Sequence, residues 1–263
     1  MKKFAYAVLP GLLLLPALAL AQSALVGTWK VDLNNLQLPT KPNKQLLANG
    51  VYHCETCVPA YSVKADGQDH PVTGHPYFDT VSITVVDANT MQEIDKKGGK
   101  TVTTTKSTVS SDGNTQMFEF TDSSNSNGAP VIGKGEATRV AKGPAGSHAI
   151  SGSWRTTKFS NVSDNALLVT YALSGTTLKM TLPTGQSYNA PVDGSDSPYM
   201  GDPGQTSVSI KRVDDRTIDE TDKRDGKVIG SAHISVAADG KTMSIAWKDA
   251  LHDTSGNYTA MKQ

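Results

Sequence analysis

The chain has 263 residues, 37% of them apolar, and its 25 basic and 25 acidic residues give a net charge of zero. Balanced charge argues against a nucleic-acid binder, which needs a basic face. Lys2 and Lys3 precede an apolar run from Ala7 to Leu20 that closes in Ala19-Leu20-Ala21, the pattern of a secretory signal cut between Ala21 and Gln22. The mature chain would hold 242 residues with a net charge of −2, and it has no apolar stretch long enough for a membrane helix. A periplasmic or secreted protein without a membrane span is expected.

The mature chain repeats itself. Tyr61 to Asp122 aligns with Tyr188 to Asp249 at a constant offset of 127, with 23 identities in 62 positions. Upstream, Gly27-Thr28-Trp29 aligns with Gly152-Ser153-Trp154 at an offset of 125. Two copies with so long a period indicate tandem domains, since solenoid repeats are shorter and more numerous. The expected layout is a signal over 1–21, a first domain over 22–140, a Gly- and Pro-containing linker over 141–148 and a second domain over 149–263.

In chain order, a short helix is the reading for Lys41 to Ala48, after Pro39 and Pro42; all else reads as strand. The chain carries 28 Thr and 24 Ser and shows almost no helical periodicity after the signal. Val81 and Ile83 share one strand face, as do Val208 and Ile210 in the second copy; Gln116, Phe118 and Phe120 share another, matched by Met243, Ile245 and Trp247. Asp112-Gly113 and Asp239-Gly240 sit between such runs as two-residue hairpin turns, and Gly99-Lys100 and Gly226-Lys227 mark another turn. About eight antiparallel strands per copy follow, closed into a barrel to remove the edges, with a β-sandwich as the alternative. A membrane barrel is disfavoured, because 14 aromatic residues in the mature chain are too few for girdles on two barrels.

The Gly27-x-Trp29 and Gly152-x-Trp154 motifs resemble the opening of lipocalins and their calycin relatives. That resemblance implies a Trp packed across each barrel floor and a late basic residue over its ring: Arg139 against Trp29 in copy one, and Lys262 in copy two. Longer stretches, such as Tyr61 to Gly67 and Asp222 to Gly226, are similar to a group of exported bacterial proteins of unassigned function.

Chemistry-bearing residues cluster in copy one. Cys54 and Cys57 lack counterparts in copy two, His70 aligns with Ser197, and His75 with Asp202. The first reading is a structural disulfide, Cys54–Cys57, formed after export. The second is a zinc or copper site drawn from His53, Cys54, Cys57, His70 and His75, and the third a redox Cys-x-x-Cys. Glu93, Asp95, Glu220 and Asp222 form alternate carboxylates that suggest a hydrolase, but Lys96 and Lys223 follow directly, so a solvated, charge-paired strand end is expected. There is no Gly-x-Ser-x-Gly, and Ser147-His148 has no orienting acid nearby. Asp66, Gly67, Pro71 and Gly74, repeated as Asp193, Gly194, Pro198 and Gly201, read as turn-shaping residues. No catalytic residue and no cofactor are assigned. The leading expectation is a module that binds a small, apolar molecule in a barrel mouth; the rival is a structural or stress-associated envelope protein with filled barrels, and a metal or redox protein is third.

Overall fold

A computed structural model describes residues 23–263; the expected signal at 1–21 lies outside them. The described chain is all-β, with two ten-stranded antiparallel sheets, two more strands in each than the repeat pattern suggests; one closes into a barrel and the other curls like a barrel without closing. After β1 (Gly27–Gln37), one continuous stretch makes barrel 1: β2 (Asn43–Ala48), β3 (Val51–Cys54), β4 (Tyr61–Lys64), β5 (His70–Pro71), β6 (Thr80–Val85), β7 (Thr90–Lys97), β8 (Lys100–Val109), β9 (Thr115–Asp122), β10 (Val131–Lys142) and β11 (Gly152–Ser160). Barrel 2 follows a single helical turn at Asp164–Ala166 and contains β12 (Leu168–Ser174), β13 (Thr177–Thr181), β14 (Ser187–Pro191), β15 (Asp193–Met200), β16 (Ser207–Arg212), β17 (Thr217–Arg224), β18 (Lys227–Val236), β19 (Thr242–Asp249) and β20 (Thr254–Lys262).

The tenth strand of barrel 2 is β1, from the far end of the chain. It pairs with β20 on one side and β12 on the other, and this closes the barrel and removes the sandwich alternative. The corresponding slot in barrel 1, between β10 and β2, is filled by β11. The two domains therefore do not run 22–140 and 149–263 as the repeat suggests: barrel 1 spans 43–160, and barrel 2 combines 168–262 with 27–37. The physical reason is loop closure. A nine-residue connection joins β10 to β11, so β11 folds back beside its chain neighbour, at lower entropic cost than pairing with a distant strand. The expected linker at 141–148 is the end of β10 and most of that connection. Chain crossings between the barrels lie instead at 38–42 and 161–167.

The Gly-x-Trp strands act as closures. Gly27 and Gly152 adopt φ of 134° and 127°, conformations that favour glycine. A Cβ on Gly152 would clash with the Ala141 carbonyl, and one on Gly27 would stand 2.7 Å from Lys262 Cε. Trp29 and Trp154 are 0% and 2% exposed, and each indole donates to a backbone carbonyl four residues earlier, Leu25 and Ile150, at 2.8 Å. Exchange of the closing strands also exchanges the cations. Arg139 lies over Trp154 at 3.9 Å, not over Trp29, which is covered by Lys262 at 5.2 Å.

Two further expectations change. Residues 43–48 are strand, not helix, because they pair with β3 and β11. The Asp112-Gly113 and Asp239-Gly240 turns sit in five-residue loops, 110–114 and 237–241, where only the glycine takes positive φ and the aspartate accepts the backbone N–H of Asn114 or Lys241.

Candidate functional site

A cavity of about 730 Å³ runs from the interior of barrel 2 out to its mouth. Its aliphatic wall includes Val31, Val169, Ile234, Met243, Ile245 and Ala260. Space arises on β18, which presents Gly230, Ala232 and Ile234 inward, where the equivalent β8 positions of barrel 1 carry Thr103, Thr105 and Ser107. Trp247 also faces the cavity, and Gly256 beside it gives the ring room: a Cβ there would stand 2.7 Å from the indole Cζ2.

Barrel 1 covers the mouth. Cys57, Val58 and the run His75–Phe78 line the same cavity. Tyr77 donates to Asp202 Oδ1 across the barrels at 2.8 Å, and only a glycine at 204 leaves room for its phenol. Arg224 donates from Nε to the Gly204 carbonyl at 2.5 Å, holding the rim loop from beneath.

Glu220 and Asp222 line this cavity, so the expected solvated strand end is overturned. Period-two alternation on β17 turns Ile218, Glu220 and Asp222 to one side, and the same face of β7 turns Met91, Glu93 and Asp95 inward in barrel 1. The lysines that follow point elsewhere, where Lys96 pairs with Asp69 at 2.7 Å and Lys223 with Asp196 at 2.5 Å. Those aspartates belong to the repeated 66–74 and 193–201 segments, where Gly67, Gly74, Gly194 and Gly201 adopt positive φ.

Buried carboxyls need hydrogen bonds. Tyr188 donates to Glu220 Oε2 at 2.8 Å and Tyr61 to Glu93 Oε1 at 2.5 Å, the same pair in each barrel. Gln205 donates to Asp222 Oδ1 at 2.5 Å. Glu220 is pushed up to about 8, first by burial, then by the negative charge of Asp222, with which it shares a hydrogen bond. Burial likewise raises Asp222. In barrel 1, Asp95 rises to about 8 through burial and the neighbouring Glu93, and burial also raises Glu93. Buried acids whose charged form is poorly solvated suit recognition of a polar group that brings hydrogen-bond donors or positive charge.

The copy-one Cys/His set is not brought together. Cys54 and Cys57 form a disulfide with Cα atoms 5.4 Å apart. His53 Nδ1 bonds Ser62 Oγ at 2.6 Å and His70 Nε2 bonds Asp66 Oδ1 at 2.8 Å, while His75 stacks on Phe78 at 4.5 Å. Burial pushes His75 down, toward the neutral ring. Among the described residues no group of three or more His, Cys, Asp or Glu is placed to hold a metal ion. What the set does build is a lid: the disulfide carries Cys57 and Val58 to the cavity, and His75 joins them there.

The cavity and the carboxyl pairs escape a reading of residue types alone. A signal was present, however, in the identity of Tyr61/Tyr188, Glu93/Glu220 and Asp95/Asp222 between the copies and in the alternation with Met91 and Ile218. No protein-family model matches the chain, and no curated protein matches it.

Proposed function

We propose that this chain is an exported small-molecule-binding protein, built from two lipocalin-like barrels, whose ligand site is the barrel 2 cavity. One observation carries the reading: a cavity of about 730 Å³ with an aliphatic wall and a polar rim, within the roughly 300–1,000 Å³ common for ligand sites. Export is supported by the Lys2-Lys3 and Ala19-Leu20-Ala21 signal pattern and by a disulfide suited to an oxidising compartment. Barrel 1 has less room: its pocket beside Asp95 and Thr103 is about 450 Å³, and aromatic rings crowd its wall. Phe118 and Phe120 lie across Gly135 and Gly133, and both meet Phe159 edge-on at 5.9 and 6.5 Å.

Native mass spectrometry of protein purified from its own cell envelope tests the proposal. The expected result is a retained small molecule that is absent from an Ala232→Phe variant, because a phenyl ring at 232 fills the cavity. A retained molecule equally present in that variant, or a wild-type protein that stays bare after exposure to 1-octanol, would contradict it.

A further inference from the structure

Resting on the reading of barrel 2 as a ligand site, we propose that the molecule it takes is an amphiphilic amine, held with its ammonium group between Glu220 and Trp247 and its apolar part among Val31, Ile234 and Ile245. The ladder registers place these groups in one tier. Glu220 stands opposite Ala232 and Ala232 opposite Trp247, so a carboxyl and an indole flank a small side chain that leaves space between them. Below this tier the wall is aliphatic, with Ile218 opposite Ile234 and Ile234 opposite Ile245.

The acid pair has polar partners but no cation. Tyr188 and Gln205 bond it, and no ion pair reaches Glu220 or Asp222 among the described residues. The positive groups at the mouth, Arg224, Lys248 and His252, make no ion pair with either acid. Arg224 donates to the Gly204 carbonyl, Lys248 is exposed on the outer side of β19, and His252 pairs with Asp249 at 2.6 Å. The other ionisable side chains facing this space include the phenols Tyr171 and Tyr258, which burial keeps neutral, Tyr199, whose ring lies 6.1 Å from Tyr188, Tyr77, which donates to Asp202, and His75, which burial pushes toward the neutral ring. An ammonium group supplies the missing countercharge, gives each carboxyl a charge-assisted bond and rests against an aromatic face. A ligand carboxylate at the same tier would meet two acids.

Three probes with one chain length separate the choices in the full-length mature protein: octylamine, protonated at pH 7 like a lysine side chain, 1-octanol and octanoate. Titration calorimetry should show octylamine binding about ten- to a hundredfold more tightly than octanol, the range for a charge-assisted hydrogen bond over a neutral one. Glu220→Gln and, as a second variant, Asp222→Asn keep a hydrogen-bonding shape but remove one acid; both should retain octanol and lose the amine preference. Equal binding of octylamine and octanol, tighter binding of octanoate, or an amine preference that survives both substitutions overturns the amine assignment. Octanol binding lost in Ala232→Phe still upholds the cavity as the site in those cases. If none of the three probes binds, the cavity reading fails, and this inference with it.

Discussion

Barrel 1 and barrel 2 share a strand order, a Trp closure and a Tyr–Glu bond, yet their interiors differ. In barrel 1, Thr103, Thr105 and Ser107 stand where barrel 2 has Gly230, Ala232 and Ile234, and two phenylalanines lie across glycines. In barrel 2 the exchange of threonines for smaller residues on β18 accompanies a cavity. The closures differ too. Arg139 stacks on Trp154 and also donates to the carbonyls of Gly113, Ser151 and Ala149, whereas Lys262 only approaches Trp29. The continuous sheet has the tighter latch and the smaller pocket, about 450 Å³ beside Asp95 and Thr103; the barrel closed by a distant strand has the looser latch and the larger space. A duplicated frame can thus hold one copy as scaffold and lid while the other keeps room for a ligand.

The sharpest way to break this comparison is to remove the distant strand. A mature chain beginning at Leu38 should keep hydrogen-exchange protection through 43–160 and lose it through 168–262, because barrel 2 then has open edges at β12 and β20. Equal protection of both segments would show that β1 is dispensable. Single substitutions come next. Trp29→Ala and Trp154→Ala should each cost about 3–5 kcal/mol in chemical unfolding, with the first abolishing ligand uptake and the second sparing it. Loss of uptake in both would mean that the barrels are not separable in function.

A pH series tests the buried acids, with a smaller effect. Asp95 and Glu220 are both raised to about 8 when folded, so folding favours their protonated forms. Stability from these groups is complete below their ordinary values near 4 and is lost as the pH rises toward 8. The melting temperature should fall by a few degrees between pH 5 and 8.5, and Asp95→Asn with Glu220→Gln should flatten the curve. A melting temperature that rises over that window contradicts the burial of these acids. Smallest is the disulfide. Its loop spans so few residues that Cys54→Ser with Cys57→Ser should cost less than the ~3 kcal/mol of a fifteen-residue loop, measured by thermal unfolding. A greater loss would give the lid a larger structural role than its geometry assigns.

Much of this was legible in the sequence, for physical reasons that also explain the gaps. The 127-residue offset marked equivalent strands, and period-two alternation marked faces such as Met243, Ile245 and Trp247. The cysteines three positions apart were readable as a disulfide because closure of so short a loop is easy. A repeat cannot say which copy of a strand completes which barrel, so the motif alone pairs Arg139 with Trp29, whereas the short β10–β11 connection places Trp154 beneath it. Residues 43–48 read as helix because two prolines precede them, and pairing with neighbouring strands overrode that local signal. The lysine after Glu220 and Asp222 suggests a solvated strand end, yet alternation puts Lys223 on Asp196 and the carboxyls inside. The cavity depends on Gly230 and Ala232, where the informative feature is the side chain that is missing.

The central claim is that barrel 2, not barrel 1, holds the ligand. Anomalous diffraction from crystals grown with 8-bromooctylamine tests it most directly, because bromine reports its own position. The account predicts a bromine peak inside barrel 2, among Val31, Ile234 and Ile245, with no peak inside barrel 1. A peak within barrel 1 beside Phe118 and Phe120, or bromine found only on the outer surface, would contradict it.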